Sequence, residues 1–208
     1  MGAQRRGREP RRGSLEVITG CMFSGKTEEL VRRLERVRIA KDSYLLFKPT
    51  IDIRYNRDAV VTHFGRSFDA HPLEPGSESI EDLVKTVGSQ ALDEASVIAF
   101  DEGNFFSDRL PKLCEGLVLL GKRVIVAGLD LTFAEEPFGA MATLLALADQ
   151  VDKLVAVCMK CGAPATRSQR LVKGKPVSAR GPVIQIGGAE AYEARCRNCY
   201  VHPEGGKT

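Results

Sequence analysis

No apolar run in this chain approaches the ~20 residues that a membrane span requires. The N-terminal stretch also lacks the apolar middle of a secretory signal. A cytoplasmic protein with no membrane partner is therefore expected. No internal repeat is visible, and a basic field over the body is missing as well. The formal net charge is +3 over 208 residues, but Arg5, Arg6, Arg8, Arg11 and Arg12 stand against Glu9 within the first thirteen. That leaves −1 for the other 195 residues, so the body is not expected to bind nucleic acid. The Arg-rich head, with Gly and Pro and no apolar periodicity, reads as a disordered extension over residues 1–13. Histidine occurs only three times, and His63, His71 and His202 are weak signals. Six cysteines in a chain of this kind argue against a disulfide framework and toward metal or reactive thiols.

What is present begins with Gly20-Cys21-Met22-Phe23-Ser24-Gly25-Lys26-Thr27. It reads G-x-x-x-x-G-K-[ST], a phosphate-binding loop. Gly20 and Gly25 permit backbone angles that let successive N–H groups curl around phosphate oxygens. Lys26 would reach the β- and γ-phosphates, and the Thr27 hydroxyl would ligate Mg²⁺. A β-rich run over 15–19 precedes the loop, and helical spacing of Leu30, Leu34 and Val37 follows it. Strand, glycine loop and helix stand in the order that aims a helix N-terminus at an anion. ATP is the expected ligand.

The apolar runs 43–47, 97–100, 123–128 and 153–157 read as further strands, the second and third buried on both faces. Helices are expected over 27–41, 79–92, 107–120 and 141–148, a short hairpin over 60–68, and punctuation over 72–77. Strands alternating with helices imply an α/β fold with a doubly wound parallel sheet. Residues 14–156 would form this phosphate-loop unit. Residues 157–202 would form a small zinc-bearing unit, and 203–208 a disordered tail.

Two sites join the loop. Asp101 and Glu102 end an apolar strand, where open α/β sheets place their ligands. Asp101 would hold Mg²⁺ through its water shell, and Glu102 could take a proton from an attacking hydroxyl. Activation of water by such a Glu remains equally open at this point. Cys158-x-x-Cys161 and Cys196-x-x-Cys199 are knuckles separated by 34 residues. Four thiolates suit a tetrahedral, structural Zn²⁺. Cys114 is expected in the core, and Cys21 lies inside the phosphate loop. The spacer between the knuckles contains Gly187-Gly188 and Tyr192 and reads as a substrate lid pinned at both ends. A nucleic-acid-dependent ATPase with a zinc knuckle, and a non-catalytic zinc-ribbon protein, stand as alternatives to a kinase.

Taken together, these residues resemble the thymidine kinase family of the cellular, zinc-containing type. The resemblance rests on the phosphate loop, on Lys48-Pro49 with Asp52-Ile53-Arg54-Tyr55, and on Asp101-Glu102-Gly103-Asn104-Phe105-Phe106. It continues through Gly128-Leu129-Asp130, Phe133, Pro137-Phe138-Gly139, the first knuckle and Gly187-Gly188-x-Glu190-x-Tyr192 to Cys199-Tyr200. It implies ATP-dependent phosphorylation of the thymidine 5′-hydroxyl, with Glu102 as general base. Lys26 and Arg54 would stabilise the moving phosphoryl group, and Thr27 with Asp101 would manage Mg²⁺. It further implies a lasso-like loop whose Gln185, Gly187 and Tyr192 hold the thymine ring. Met22, Phe105, Leu129, Phe133 and Phe138 would form apolar walls, and Ser168 stands where the family often has threonine. A homotetramer inhibited by thymidine triphosphate is also implied. Two departures are Asn104, where Gln is usual, and Cys21, where Pro, Ser or Gly is usual.

Overall fold

The computed structural model of the chain describes residues 13–51, 59–61, 67–177 and 191–203. Strand β1 (Ser14–Gly20) leads through the phosphate loop into helix α1 (Lys26–Ile39) and strand β2 (Tyr44–Pro49). An antiparallel pair follows, β3 (Ala59–Val61) with β4 (Ser67–Asp69), and then β5 (His71–Leu73). Helices α2 (Ile80–Val87) and α3 (Ser89–Glu94) precede β6 (Val97–Phe100). After it come a 3₁₀ turn (Gly103–Phe105), α4 (Leu110–Leu119), β7 (Arg123–Gly128), α5 (Met141–Leu147) and β8 (Gln150–Leu154). The central sheet has six strands in the order β5-β2-β6-β7-β1-β8, parallel throughout.

Strand alternation divides the interior into two layers. Leu15, Val17, Phe47, Ile98, Phe100, Val124 and Val126 pack on one face with Leu83, Leu92, Leu113, Leu117 and Leu144 from α2 to α5. Ile18, Leu46, Val97, Ala99, Ile125 and Ala127 pack on the other with Leu30, Val31, Leu34 and Val37 of α1. A strand buried on both faces needs apolar residues at every position, which is why these runs are continuous. Helix α1 carries Glu28 and Glu29 in its first turn and Arg36 and Arg38 in its last, matching the helix dipole. Cys114 is buried in the first layer as expected, and burial pushes its thiol pKa up.

Three sequence expectations are corrected. The helix expected over 79–92 is two helices, because Gly88 takes φ +87°, ψ +153°, an extended conformation open to glycine that breaks the helix between α2 and α3. The stretch 72–77, read as punctuation, begins inside a strand: Phe47 pairs with His71, Lys48 with Pro72 and Pro49 with Leu73. Proline is tolerated there because β5 is the sheet's edge. At the start of β5, half-buried His71 lies 5.6 Å ring to ring from buried Phe47. The strand expected over 153–157 begins earlier, at Gln150, and stops at Leu154. Its exposed, polar outer edge hid it from an apolar-run reading.

The remaining strands are short and antiparallel. β9 (Ala156–Val157) pairs with β10 (Pro164–Ala165). β11 (Arg167–Val172) lies between β12 (Lys175–Pro176) and β13 (Tyr192–Arg195). Among the described residues, no helix is long and apolar enough to cross a membrane.

Candidate active site

The parallel sheet puts three strand ends side by side. β6 ends at Phe100 before Asp101-Glu102, β7 ends at Gly128 before Leu129-Asp130, and β1 ends at Gly20 in the phosphate loop. This is the carboxyl edge, where open α/β sheets bind ligands. Within the loop, Phe23 and Gly25 take φ +64° and +86°, the left-handed turns that let consecutive N–H groups face one concavity. The Lys26 ammonium donates to the Cys21 carbonyl at 3.0 Å, folding back across the loop's own backbone.

The groups assigned to Mg²⁺ meet. The Thr27 hydroxyl donates to Asp101 Oδ2 at 3.3 Å, and Asp101 is only 6% exposed. A hydroxyl beside a carboxylate is an all-oxygen donor set, which fits a hard divalent cation. Burial lowers the Lys26 pKa, and the charge of Glu102 opposes that shift more than Cys21, Asp101 or Asp130 does. Lys26 and Glu102 therefore share one electrostatic site. Glu102 itself adopts φ +52°, ψ +43°, a left-handed conformation uncommon for a residue with a Cβ. Such backbone strain concentrates where surrounding structure fixes a functional side chain. The Glu102 N–H donates to Asp101 Oδ1 at 3.0 Å, which orients the Asp101 carboxylate and ties it to the Glu102 backbone.

The expected apolar walls fall into two groups. Met22, Phe133 and Tyr192 pack together with Ala191. Phe105 and Phe138 meet edge to face at 5.7 Å. The Leu129 N–H donates to Asn104 Oδ1 at 2.8 Å, so the shorter amide of Asn104 ties the β6 loop to the β7 loop. Ser168 lies on β11, where its hydroxyl accepts from the Met22 N–H at 2.9 Å. Arg54, Gln185, Gly187 and His63 lie outside the described residues.

The four knuckle cysteines converge. The sulfurs of Cys158, Cys161, Cys196 and Cys199 all lie within 4.8 Å of one another, and Cys161 Sγ sits 3.6 Å from Cys196 Sγ. A tetrahedral Zn²⁺ with bonds of about 2.3 Å needs sulfurs ~3.8 Å apart, so this donor set fits the metal. Each knuckle is closed by backbone: Cys158 N–H to Ala163 O at 2.8 Å, and Cys199 N–H to Cys196 O at 3.1 Å.

Contacts that sequence reasoning did not assign also gather here. Asp130, buried two residues past β7, pairs with Lys153 at 2.7 Å and adds to the field on Lys26. An acid just beyond a buried parallel strand was the available signal. The Arg170 guanidinium lies 5.1 Å over the Phe133 ring, Arg167 pairs with Glu135, and Tyr200 OH donates to the Phe133 carbonyl. No local pattern announces those three.

Comparison with known proteins agrees with this geometry. A family model described as thymidine kinase matches residues 13–200. The chain is 53% identical over 196 residues to the thymidine kinase of Coprothermobacter proteolyticus, covering 94% of this chain and 93% of that one. It is 50% identical over 191 residues to the thymidine kinase of Chloroflexus aurantiacus, covering 90% and 94%. With a parallel phosphate-loop sheet, a carboxylate pair at its carboxyl edge and a four-cysteine cluster, the chain belongs to the thymidine kinase family.

Proposed function

We propose that this protein transfers the γ-phosphoryl group of ATP to the 5′-hydroxyl of thymidine, giving thymidine monophosphate for nucleotide salvage. The observation that carries the reading is the meeting of Lys26, Thr27, Asp101 and Glu102 at one sheet edge, in a chain of this family. Glu102 is the general base. Its carboxylate takes the proton of the sugar alcohol as the oxygen attacks phosphorus. The loop backbone over Gly20, Met22, Phe23, Ser24 and Gly25, with Lys26, cradles the triphosphate, the Met22 N–H itself being held by Ser168 Oγ. Arg54 adds charge to the transferring group. Thr27 and Asp101 hold Mg²⁺, which neutralises charge on the phosphate oxygens.

The thymine ring sits among Met22, Phe105, Leu129, Phe133 and Phe138, under Gln185, Gly187 and Tyr192, with Ser168 nearby. Zn²⁺ at Cys158, Cys161, Cys196 and Cys199 cross-links the two knuckles and takes no part in the chemistry. The chain is organised as a nucleotide unit over 14–156 and a zinc-bearing unit over 157–202, flanked by an Arg-rich extension and a short tail. A cytoplasmic homotetramer subject to feedback by thymidine triphosphate is the assembly the resemblance implies, with no nucleic-acid partner.

The test is purified protein with ATP-Mg²⁺ and a panel of nucleosides. Transfer to thymidine is expected, and Glu102→Gln should lower kcat by ~10²–10⁴-fold while ATP still binds. ATP loss stimulated only by DNA or RNA, or an unimpaired Glu102→Gln enzyme, overturns the assignment.

A further inference from the structure

The first half of the phosphate loop leans on the end of β8 and on the small strands beside the four-cysteine cluster. A Cβ at Gly20 would lie 2.4 Å from the Leu154 carbonyl oxygen, so the end of β8 presses directly on the loop's first residue. The Cys21 thiol donates to the Ala165 carbonyl at 3.4 Å. It is buried in one cluster with Ala156, Cys158, Ala165, Ala194 and Cys196. The Met22 N–H donates to Ser168 Oγ at 2.9 Å. Three successive loop residues thus touch elements from outside the β1–α1 unit. The second half is held more locally: the Ser24 N–H reaches Cys21 O at 3.4 Å, and the Glu29 N–H reaches Gly25 O at 2.9 Å.

Ser168 is itself well fixed. It is 7% exposed and stands opposite Ala194 in the β11–β13 ladder, two residues before the ligand Cys196. A contiguous path therefore runs from the sulfur cluster through Ala194 and Ser168 to the Met22 amide. Phosphate loops act through N–H groups that are oriented before the anion arrives, so whatever holds the loop's backbone bears on affinity for the anion.

We propose that Ser168 is a positioning residue for the phosphate loop: its hydroxyl fixes Met22 and so couples the triphosphate cradle to the zinc-bearing strands. This deepens the kinase reading above and rests on ATP occupying the loop at 20–27. It gives Ser168, placed near the thymine ring in that reading, a role toward the phosphate loop instead. The zinc unit then serves both substrates, holding the nucleoside lid at one side and the phosphate loop at the other.

Two measurements on the full-length zinc protein test it. Amide hydrogen exchange without nucleotide reads the link itself. In Ser168→Ala, Met22 should exchange about tenfold faster, the scale of one lost hydrogen bond, while α1 and the zinc content stay unchanged. Steady-state kinetics read its consequence: ATP KM should rise roughly three- to tenfold, with thymidine KM within about twofold. Ser168→Thr, which keeps the hydroxyl, should behave like wild type in both. Ser168→Val, of the same shape without it, should behave like Ser168→Ala. This matched pair decides the matter even if the alanine variant fails to fold. Unchanged Met22 exchange in Ser168→Val, or a rise confined to thymidine KM, overturns the proposal. Failure of the kinase reading would appear separately, as a wild-type protein that transfers no phosphate yet still protects the Met22 amide.

Discussion

The central sheet and the small strands around the four-cysteine cluster are held together by different physics. In the central sheet every residue of Val97–Phe100 is buried. Phe47 and Phe100 stack at 5.6 Å, and two apolar layers close over both faces. The small antiparallel strands have no such interior. Their cluster consists of Ala156, Ala165 and Ala194 with three cysteines, two of which are knuckle ligands. At roughly 0.8 kcal/mol per buried methylene, alanines contribute little against the cost of ordering the chain. The longest of these strands buries Arg167, Ser168, Gln169 and Arg170 instead. Arg167 and Ser168 find partners across a boundary, in Glu135 and the Met22 N–H, and Gln169 finds one among its own neighbours. Gln169 donates to the Val201 carbonyl at 3.2 Å and accepts the Val201 N–H at 2.7 Å, while Arg167 pairs with Glu135. Strands too small for an apolar core are held instead by polar contacts to their neighbours, and a metal at the four cysteines would add to them. Those contacts are also what place Phe133 and Met22.

Zinc removal is the largest perturbation that separates the two regions. Structural Zn²⁺ sites contribute on the order of 10–16 kcal/mol, more than a core of alanines can replace. Chelation should abolish amide protection in β9, β10, β11 and β13 while β1, β6 and β7 keep theirs, as read by hydrogen exchange. Simultaneous loss in both sheets would mean that they form one cooperative unit and would break the contrast. The reverse experiment truncates Phe100, which stacks on Phe47 and meets Phe106 edge to face at 5.9 Å. Phe100→Ala should cost about 3–5 kcal/mol of unfolding free energy. Zinc stoichiometry at low denaturant should stay at one per chain, and zinc loss at that point would again argue for a single unit.

The contrast also explains what could be read without coordinates. The phosphate loop was legible because glycine, lysine and threonine each have a local chemical reason to stand where they do. Asp101 and Glu102 were legible because a fully buried strand ends abruptly in two charges. The paired cysteines were legible because a metal fixes their spacing. Edges and junctions were not. β5 runs through Pro72, a residue that normally argues against a strand, and β8 is an exposed edge whose Gln150 and Asp152 carry no apolar signature. The bonds Ser168–Met22, Arg167–Glu135 and Tyr200–Phe133 join residues far apart in sequence. Their logic lies in the neighbour, not in the local pattern.

One charged cluster inside the central unit sharpens the comparison, because there polar groups substitute for apolar packing in the larger sheet. Arg33 of α1, 7% exposed, reaches Glu16 of β1 at 2.7 Å, Glu29 at 2.9 Å and Asp152 of β8 at 2.6 Å; Arg123 of β7 completes the set at 2.6 Å from Glu16. Burial raises the Glu16 pKa, but the hydrogen bonds and charges of Arg123 and Arg33 outweigh it and hold the group below its usual value. Glu29 is drawn down to about 2, chiefly by its hydrogen bond to Arg32; burial opposes this next in size, and Arg33 adds to the lowering. Folded values below the unfolded ~4.3 mean that this stabilisation is complete above that pH and is lost as pH falls toward 2. Arg33→Leu should therefore cost about 2 kcal/mol at neutral pH, less than a fully buried pair because Asp152 is partly solvated. Between pH ~4.5 and 2 the gap between variant and wild type should narrow, as urea unfolding of the central sheet followed by hydrogen exchange would report. A gap that stays constant through that window would mean that Arg33 acts through the packing of its aliphatic stem. The larger sheet would then be apolar in its energetics even at this charged seam.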